Sequence, residues 1–390
     1  MKGPLDGIRV LDITHWAVGP WSASQLGMMG ADVIKIEPPD GDHLSKSPPP
    51  YKGGFGTSYM ASNLSKRCAI LDLRDEKVRQ AVYTILKTCD VLVENHRPGY
   101  LARRGLDYET VSKINPRLVY CSCSGYGNRG PWKEMGSNGG FGDASSGFAS
   151  VSGPVGGPTE GMKGGSQIDL GAGAFTAMGI LAALYYRELT GKGQKIETSQ
   201  FQASIAQAGF RAQEFYVAGK NPPPMGSGVS NIVPSRAYKA KDGKYVNITA
   251  HDNKTWMALC KALGFAQLAN DPRFESNAKR VEHRDEVDRL IQEAVSQHMS
   301  SECMEPLVSA QVPCGLDFSY NELRVDPQVK LLRMFEWNDT PWGEVRVGGL
   351  PWRFSKTPGE IRATRKPGQD TQEIMALAES IARGESQTRR

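Results

Sequence analysis

The sequence predicts an α/β protein built on a parallel sheet, with a smaller α/β module attached. Three observations carry this. Short β-rich runs alternate with helical patterns through the first third of the chain, turn residues punctuate them, and a proline- and glycine-rich break at Lys220–Pro234 precedes a second such set. Strand, helix, strand order calls for right-handed crossovers and parallel pairing.

The elements follow in order. Ile8–Thr14 (IRVLDIT) reads as a buried strand, Pro20–Gly30 as a helix ending in glycine, and Asp32–Ile36 as a second strand closed by the turn at Pro38–Pro39. Ala69–Leu73 is a third strand, Glu76–Thr88 has helical periodicity, and Val91–Glu94 and Leu118–Ser122 are strand-like again. Residues 151–173 carry eight glycines and run into a long helix. Phe175, Met178, Leu181, Ala182 and Tyr185 line one face of it at helical spacing, and it stops near Thr190–Gly193. A hairpin with an Asp242–Gly243 turn is expected between Tyr238 and Thr249. The expected organisation is therefore 1–220 as the first part of a large domain, 221–234 as a linker and 235–318 as a small domain. Residues 325–390 are then expected to return to the large one.

The bulk numbers narrow the function classes. With 390 residues and 39% hydrophobic content, the chain can bury a large core. Its net charge of +5 comes from interspersed Lys and Arg; it suits an anionic small ligand and is too diffuse for nucleic acid. The seven cysteines include no CxxC, and Cys121 and Cys123 fall in a strand, so the expectation is buried thiols, no metal site and a reducing, cytoplasmic compartment. Met1–Asp6 lacks a signal pattern, and apolar stretches are broken by charge or glycine, so no membrane association is expected.

Several positions could carry chemistry. Asp169 lies between the glycine-rich run and the long helix, where unpaired N–H groups and the helix dipole would hold a nucleophilic carboxylate ionised; an Asp in this position is more commonly an N-cap. Asn95-His96-Arg97-Pro98-Gly99, with Arg103 and Arg104 beyond, follows a strand and could grip phosphate or simply form a solvated turn. Ser124-Gly125-Tyr126-Gly127 follows another strand, where small residues admit close backbone approach. Gly19-Pro20 opens a helix whose amides could face an anion, and His15 fits a packed position better than a catalytic one.

These pieces, in this order, resemble the class III CoA-transferase family, which includes formyl-CoA:oxalate and carnitine CoA-transferases. The resemblance covers nearly the whole chain: PLDGIRVLDITHWAVGP, LGMMGADVIKIEPPDGD, NLSKRCAILDLR, DVLVENHRPGYLARRGLDYE, NPRLVYCSCSGYGNRGP and SQIDLGAGAFTAMGILAALYYRELTGKGQKIE. It implies a Rossmann-like large domain built from both chain ends, a small domain, and an interlocked homodimer. It implies coenzyme A, arriving as acyl-CoA, a carboxylic acid acceptor, and Asp169 as the residue that becomes an aspartyl-CoA thioester. The CoA contacts it implies are Leu71, Asp72, Leu73, Arg74, Asn95, His96, Arg97, Arg103, Gly125 and Tyr126, with Ala17 and Val18 standing where the formyl-CoA:oxalate enzyme has glutamine and alanine. Pro38 replaces an arginine, and Gly226-Ser227-Gly228 is the nearest counterpart of that enzyme's tetraglycine loop. Amides near Gly164–Gly165 or Gly226–Gly228 are the expected oxyanion donors, and Trp16, Trp21, Trp132 and Phe141 are candidates for an apolar acyl pocket.

Three rivals are weaker. An α-methylacyl-CoA racemase of the same fold needs a histidine where this chain has Gly136-Ser137-Asn138-Gly139-Gly140-Phe141, and none occurs from residue 97 to 250. A non-catalytic CoA-binding subunit of a heteromeric transferase would not need Asp169. An NAD-binding enzyme would need a GxGxxG after the first strand.

Overall fold

The computed structural model describes residues 3–47, 49–137, 139–161 and 167–385. The chain divides into two compact units. One comprises residues 1–149, 161–220 and 328–390, the other 150–160 and 221–327.

The first unit is organised by a six-stranded parallel sheet: β1 (Arg9–Ile13), β2 (Asp32–Glu37), β3 (Lys66–Ile70), β4 (Val91–Glu94), β5 (Val119–Ser124) and β6 (Lys195–Ser199). The order is β3-β2-β1-β4-β5-β6, so the winding direction reverses between β1 and β4. In such sheets ligands gather at the carboxyl ends of the strands on either side of that reversal. The four inner strands, β2, β1, β4 and β5, are buried almost throughout, as expected where helices cover both faces. On one face Leu11, Ile34, Leu92 and Tyr120 meet α2 (Glu76–Leu86) through Val82, Ile85 and Leu86 and α3 (Tyr108–Ile114) through Val111; on the other Val10, Val33, Val93 and Cys121 meet α1 (Val18–Met28) and α4 (Gln167–Thr190). The alternation along each strand thus splits two apolar sets between two layers.

The expected boundaries shift slightly. The first helix begins two residues earlier, at Val18, and the third strand runs Lys66–Ile70 rather than Ala69–Leu73, leaving Leu71–Arg74 as the loop at its carboxyl end. A larger difference concerns α4. Phe175, Met178 and Tyr185, part of the apolar face that the spacing marks, are exposed, Met178 by 61% and Tyr185 by 68%. The buried face is instead made of small residues, Ala172, Gly173, Thr176, Ala177 and Ala183, with Ile180 and Leu184. Small side chains let α1 approach closely: a Cβ on Gly173 would lie 3.1 Å from the Val18 carbonyl oxygen and 2.8 Å from the Trp21 ring. Among the described helices α4 is long and apolar enough to cross a membrane, yet it packs against α1, β5 and β6 as a core helix.

After β6, α5 (Gln200–Ala218) is capped by Ser199, whose hydroxyl accepts from the Gln202 N–H, and is kinked at Gly209, where φ is 43°. Within this unit the chain's far end covers the β3 edge. Asp370 accepts from the Cys68 N–H at 2.8 Å and Thr371 from the Ile70 N–H at 3.0 Å. Ile374, Leu377 and Ala378 of the helix Thr371–Ala382 join the core.

The second unit carries an antiparallel three-stranded sheet. Its first two strands, Ser235–Lys239 and Tyr245–Thr249, form the expected hairpin around Asp242–Gly243. Its core gathers Trp256, Phe274, Val287 and Ile291. Arg280, fully buried there, is held by the carbonyls of Val233 and Phe274 and by Asn253 Oδ1. None of the seven cysteines forms a disulfide, and six are buried.

Candidate active site

Because the sheet is parallel, the loops singled out from the sequence all leave from one edge of it: Thr14–Val18 after β1, Leu71–Arg74 after β3, Asn95–Arg97 after β4 and Gly125–Tyr126 after β5. Buried ions fix the first of these. Lys66 Nζ lies 2.8 Å from Asp12 and donates to the Pro20 carbonyl, and Lys35 Nζ lies 3.0 Å from Asp42 and donates to the Thr14 carbonyl. Asp12 accepts from the Thr14 N–H and Asp42 from the Trp16 N–H. Burial alone would raise the Asp12 carboxyl, but Lys66 and Lys35 outweigh it and hold the group below its usual range. Trp16 is pinned at a φ of 63°, unusual for a bulky residue, with its indole stacked on His43 at 5.1 Å.

Asn95 ties β4 to β1: its amide accepts from the His15 N–H at 2.9 Å and donates to the His15 carbonyl at 2.7 Å. His96 stacks on Tyr100 at 4.1 Å and meets the His15 ring at a tilt at 4.7 Å, and Arg104 lies 3.7 Å above the Tyr100 ring. Burial lowers the pKa of His96 to about 3 and of His15 to about 4, so both rings are neutral at physiological pH. Of the residues singled out on this segment, Arg97 and Arg103 are exposed cations, whereas His96 presents a neutral, partly buried ring. Beside His96 and Arg97 lies a hollow of about 230 Å³, floored by Glu94, Ser122 and Tyr120 and rimmed by Lys195; Asp169 is not part of it. Leu71 and Leu73 are buried in the core, and Arg74 pairs with its neighbour Asp72 at 2.9 Å.

Asp169 occupies the first turn of α4 and is half-buried. Its Oδ1 accepts from Gln200 Nε2 at 2.5 Å, and Gln200 Oε1 accepts from the Ser137 hydroxyl at 2.9 Å. Burial raises the Asp169 pKa above its ordinary value, and the Gln200 bond only partly offsets this. The sequence pointed to the helix terminus as what holds this carboxylate ionised; burial acts in the opposite direction. The consequence is chemically useful, since a carboxylate of raised pKa is the stronger nucleophile. Val18, of the Ala17–Val18 pair at the start of α1, packs with Cys123 and Ala172 just below this turn.

Gly125 belongs to the same cluster. Its carbonyl accepts from the Phe201 N–H at 3.0 Å, and a Cβ on it would lie 2.2 Å from Ser137 Cβ, so only glycine leaves room. Trp132 packs edge to face on Tyr126 and Phe201, and those two rings meet at a tilt, with centroids 5.3–5.9 Å apart. Trp132 thus has aromatic partners there, while Phe141 is exposed. Of the two glycine stretches expected to offer oxyanion donors, Gly164–Gly165 lies outside the described residues. In the other, the Gly226 and Gly228 amides are already bonded to the carbonyls of Gly153 and Met225, which removes both as free donors. Among the described residues, no group of three or more His, Cys, Asp or Glu side chains is placed to hold a metal ion.

Gln200 and Ser137 escaped sequence reasoning. They stand 63 residues apart, each in an ordinary local context, and only folding brings them together.

Comparison with known proteins identifies the family. Residues 5–371 match the family model described as CoA-transferase family III. The chain is 35% identical over 354 residues to an acetyl-CoA:oxalate CoA-transferase of Acetobacter aceti, covering 91% of this chain and 90% of that one. It is 31% identical to a succinate–glutarate CoA-transferase of Agrobacterium fabrum (98% and 97% covered) and 30% identical to the human succinyl-CoA:glutarate CoA-transferase (95% and 85%). A crystal structure of a CAIB/BAIF family protein from Brucella suis superposes with a TM-score of 0.86 at 30% identity, covering 97% of this chain and all of that one. The chain belongs to CoA-transferase family III and is an enzyme that transfers coenzyme A.

Proposed function

We propose that the enzyme takes CoA from an acyl-CoA and passes it to a small dicarboxylic acid through a covalent intermediate on Asp169. The observation that carries this is the state of that carboxylate: half-buried, raised in pKa by desolvation, and bonded by Gln200 through Oδ1, which leaves Oδ2 to attack. The acceptors named for similar enzymes, oxalate and glutarate, are dicarboxylic acids, which supports that class here. Asp169 Oδ2 attacks the acyl carbonyl and expels CoA thiolate, giving a mixed anhydride. The thiolate then attacks the aspartyl carbon and expels the donor acid, giving the aspartyl-CoA thioester. The acceptor carboxylate repeats these steps in reverse. One thioester replaces another, so the exchange is close to isoenergetic and needs no nucleotide.

In this proposal CoA lies along the carboxyl edge of the sheet, over Leu71–Arg74, Asn95–Arg97 and Arg103, and reaches Asp169 past Ala17, Val18 and Gly125–Tyr126. Exposed Arg97 and Arg103 offer charge to its phosphates. The working unit is a homodimer, supported by the apolar side chains left exposed on α4 and α5. Seven cysteines with no disulfide among them fit a reducing compartment such as the cytoplasm.

The test is to incubate the enzyme with succinyl-CoA or acetyl-CoA, quench with hydroxylamine or borohydride, and map the modified peptide. Asp169 should carry the modification, and Asp169→Ala should lower turnover by on the order of 10³-fold or more. An unmodified Asp169 in an enzyme that turns over would refute the covalent route.

A further inference from the structure

The geometry points to Gln200 as a catalytic residue. We propose that its side-chain amide, locked in orientation by Ser137, is the oxyanion donor for the aspartyl carbonyl. The inference rests on Asp169 being the nucleophile and assigns a role to the oxygen that does not attack.

The oxygens can be followed through the exchange. Oδ2 forms the bond to the acyl carbon and departs with the donor acid when CoA thiolate adds to the aspartyl carbon. Oδ1 stays on that carbon throughout. Each addition to the aspartyl carbon, first by CoA thiolate and later by the acceptor carboxylate, moves an electron pair onto Oδ1. Each collapse returns the pair and breaks the bond to the leaving carboxylate or thiolate. The atom that repeatedly takes up negative charge is therefore the one Gln200 already contacts, at 2.5 Å. A donor fixed in place before charge develops needs no reorganisation when it does.

Three features fix the amide. An ionised carboxylate only accepts hydrogen bonds, so the Gln200 NH2 group must face Asp169 and its oxygen must face Ser137, whose hydroxyl donates at 2.9 Å. Gln200 is 8% exposed, in a setting where its bonds are poorly contested by water. The backbone on either side is held as well, by the Ser199 cap and by the bond from the Phe201 N–H to the Gly125 carbonyl. Ser137 acts as a positioning residue: without it the amide could rotate and present oxygen to Asp169. Among the described residues, Gln200 is the side chain that donates to the Asp169 carboxylate.

The experiment compares wild type with Gln200→Met, which keeps length and removes the donor, and Ser137→Ala, which leaves Gln200 in place but unlocked. Turnover is measured with acetyl-CoA plus oxalate and with succinyl-CoA plus glutarate. Asp169 adducts are mapped in parallel, and Asp169 labelling by a water-soluble carbodiimide is followed against pH without substrate. Gln200→Met should lower kcat by about 10²–10³-fold while KM for the acyl-CoA stays within about threefold, and Ser137→Ala should fall between. The donor favours the ionised carboxylate, so its loss should extend carbodiimide labelling, which needs the protonated group, to higher pH. Turnover of Gln200→Met within about threefold of wild type, or an unchanged labelling midpoint in both variants, overturns the inference. Absence of an adduct on Asp169 in active wild type overturns the nucleophile assignment instead, and the two failures are distinct.

Discussion

At the scale of single residues, the site turns on how burial competes with hydrogen bonding. The Asp169 carboxylate loses solvent on folding and regains one strong donor, and the loss is the larger effect. Because the ionised form is the nucleophile, activity must decline as pH falls through the raised pKa. The acid limb of kcat/KM is therefore expected above 3.8, the ordinary aspartate value, and a limb at or below it would contradict the assignment. Gly125 shows the steric side of the same cluster. Gly125→Ala would press a methyl into Ser137 and should cost about 1–3 kcal/mol of stability. It should lower kcat as well, by displacing Ser137 from Gln200; denaturant unfolding and steady-state kinetics on one preparation measure both. None of this was legible in the sequence beyond Asp169 as a candidate, since the motif singles out that carboxylate and says nothing of which distant side chain will touch it.

At the scale of elements, α4 and α5 carry more apolar surface than one subunit covers. Met178, Tyr185 and Leu189 on α4, and Phe210, Tyr216 and Val217 on α5, are exposed, Phe210 by 90%. The periodicity of α4 announced an apolar stripe correctly but not what the stripe faces. The small residues on the opposite side go to the core because only they permit the close crossing with α1. In the homodimer proposal the large apolar face meets a second subunit. Wild type should then run in light scattering at twice 42.6 kDa, and the double substitution Met178→Asp, Tyr185→Asp should shift it to monomer. A wild-type protein that is monomeric at micromolar concentration would remove that proposal.

At the scale of the whole molecule, the residues that carry the fold and those that carry the chemistry were unequally visible. The buried ions Asp12, Lys66, Lys35 and Asp42 join β1, β2, β3 and the start of α1 beneath the site. Removing one member strands its partner in a water-free interior, so Asp12→Ala should destabilise the protein by roughly 3–5 kcal/mol, read from denaturant midpoints. The sequence by itself determined the parallel α/β layering, because strand alternation and helix periodicity depend only on near neighbours. It also determined the family, through six motifs in a fixed order, and singled out Asp169 as the candidate nucleophile. Tertiary structure alone decided the rest: the neutral His15 and His96, the sign of the Asp169 shift, the exposure of one face of α4, and the Ser137–Gln200–Asp169 chain. These depend on which groups lose water together and which donors then lie within reach. That is a property of contacts between residues far apart in sequence, such as the 302 positions separating Asp370 from the Cys68 N–H it accepts.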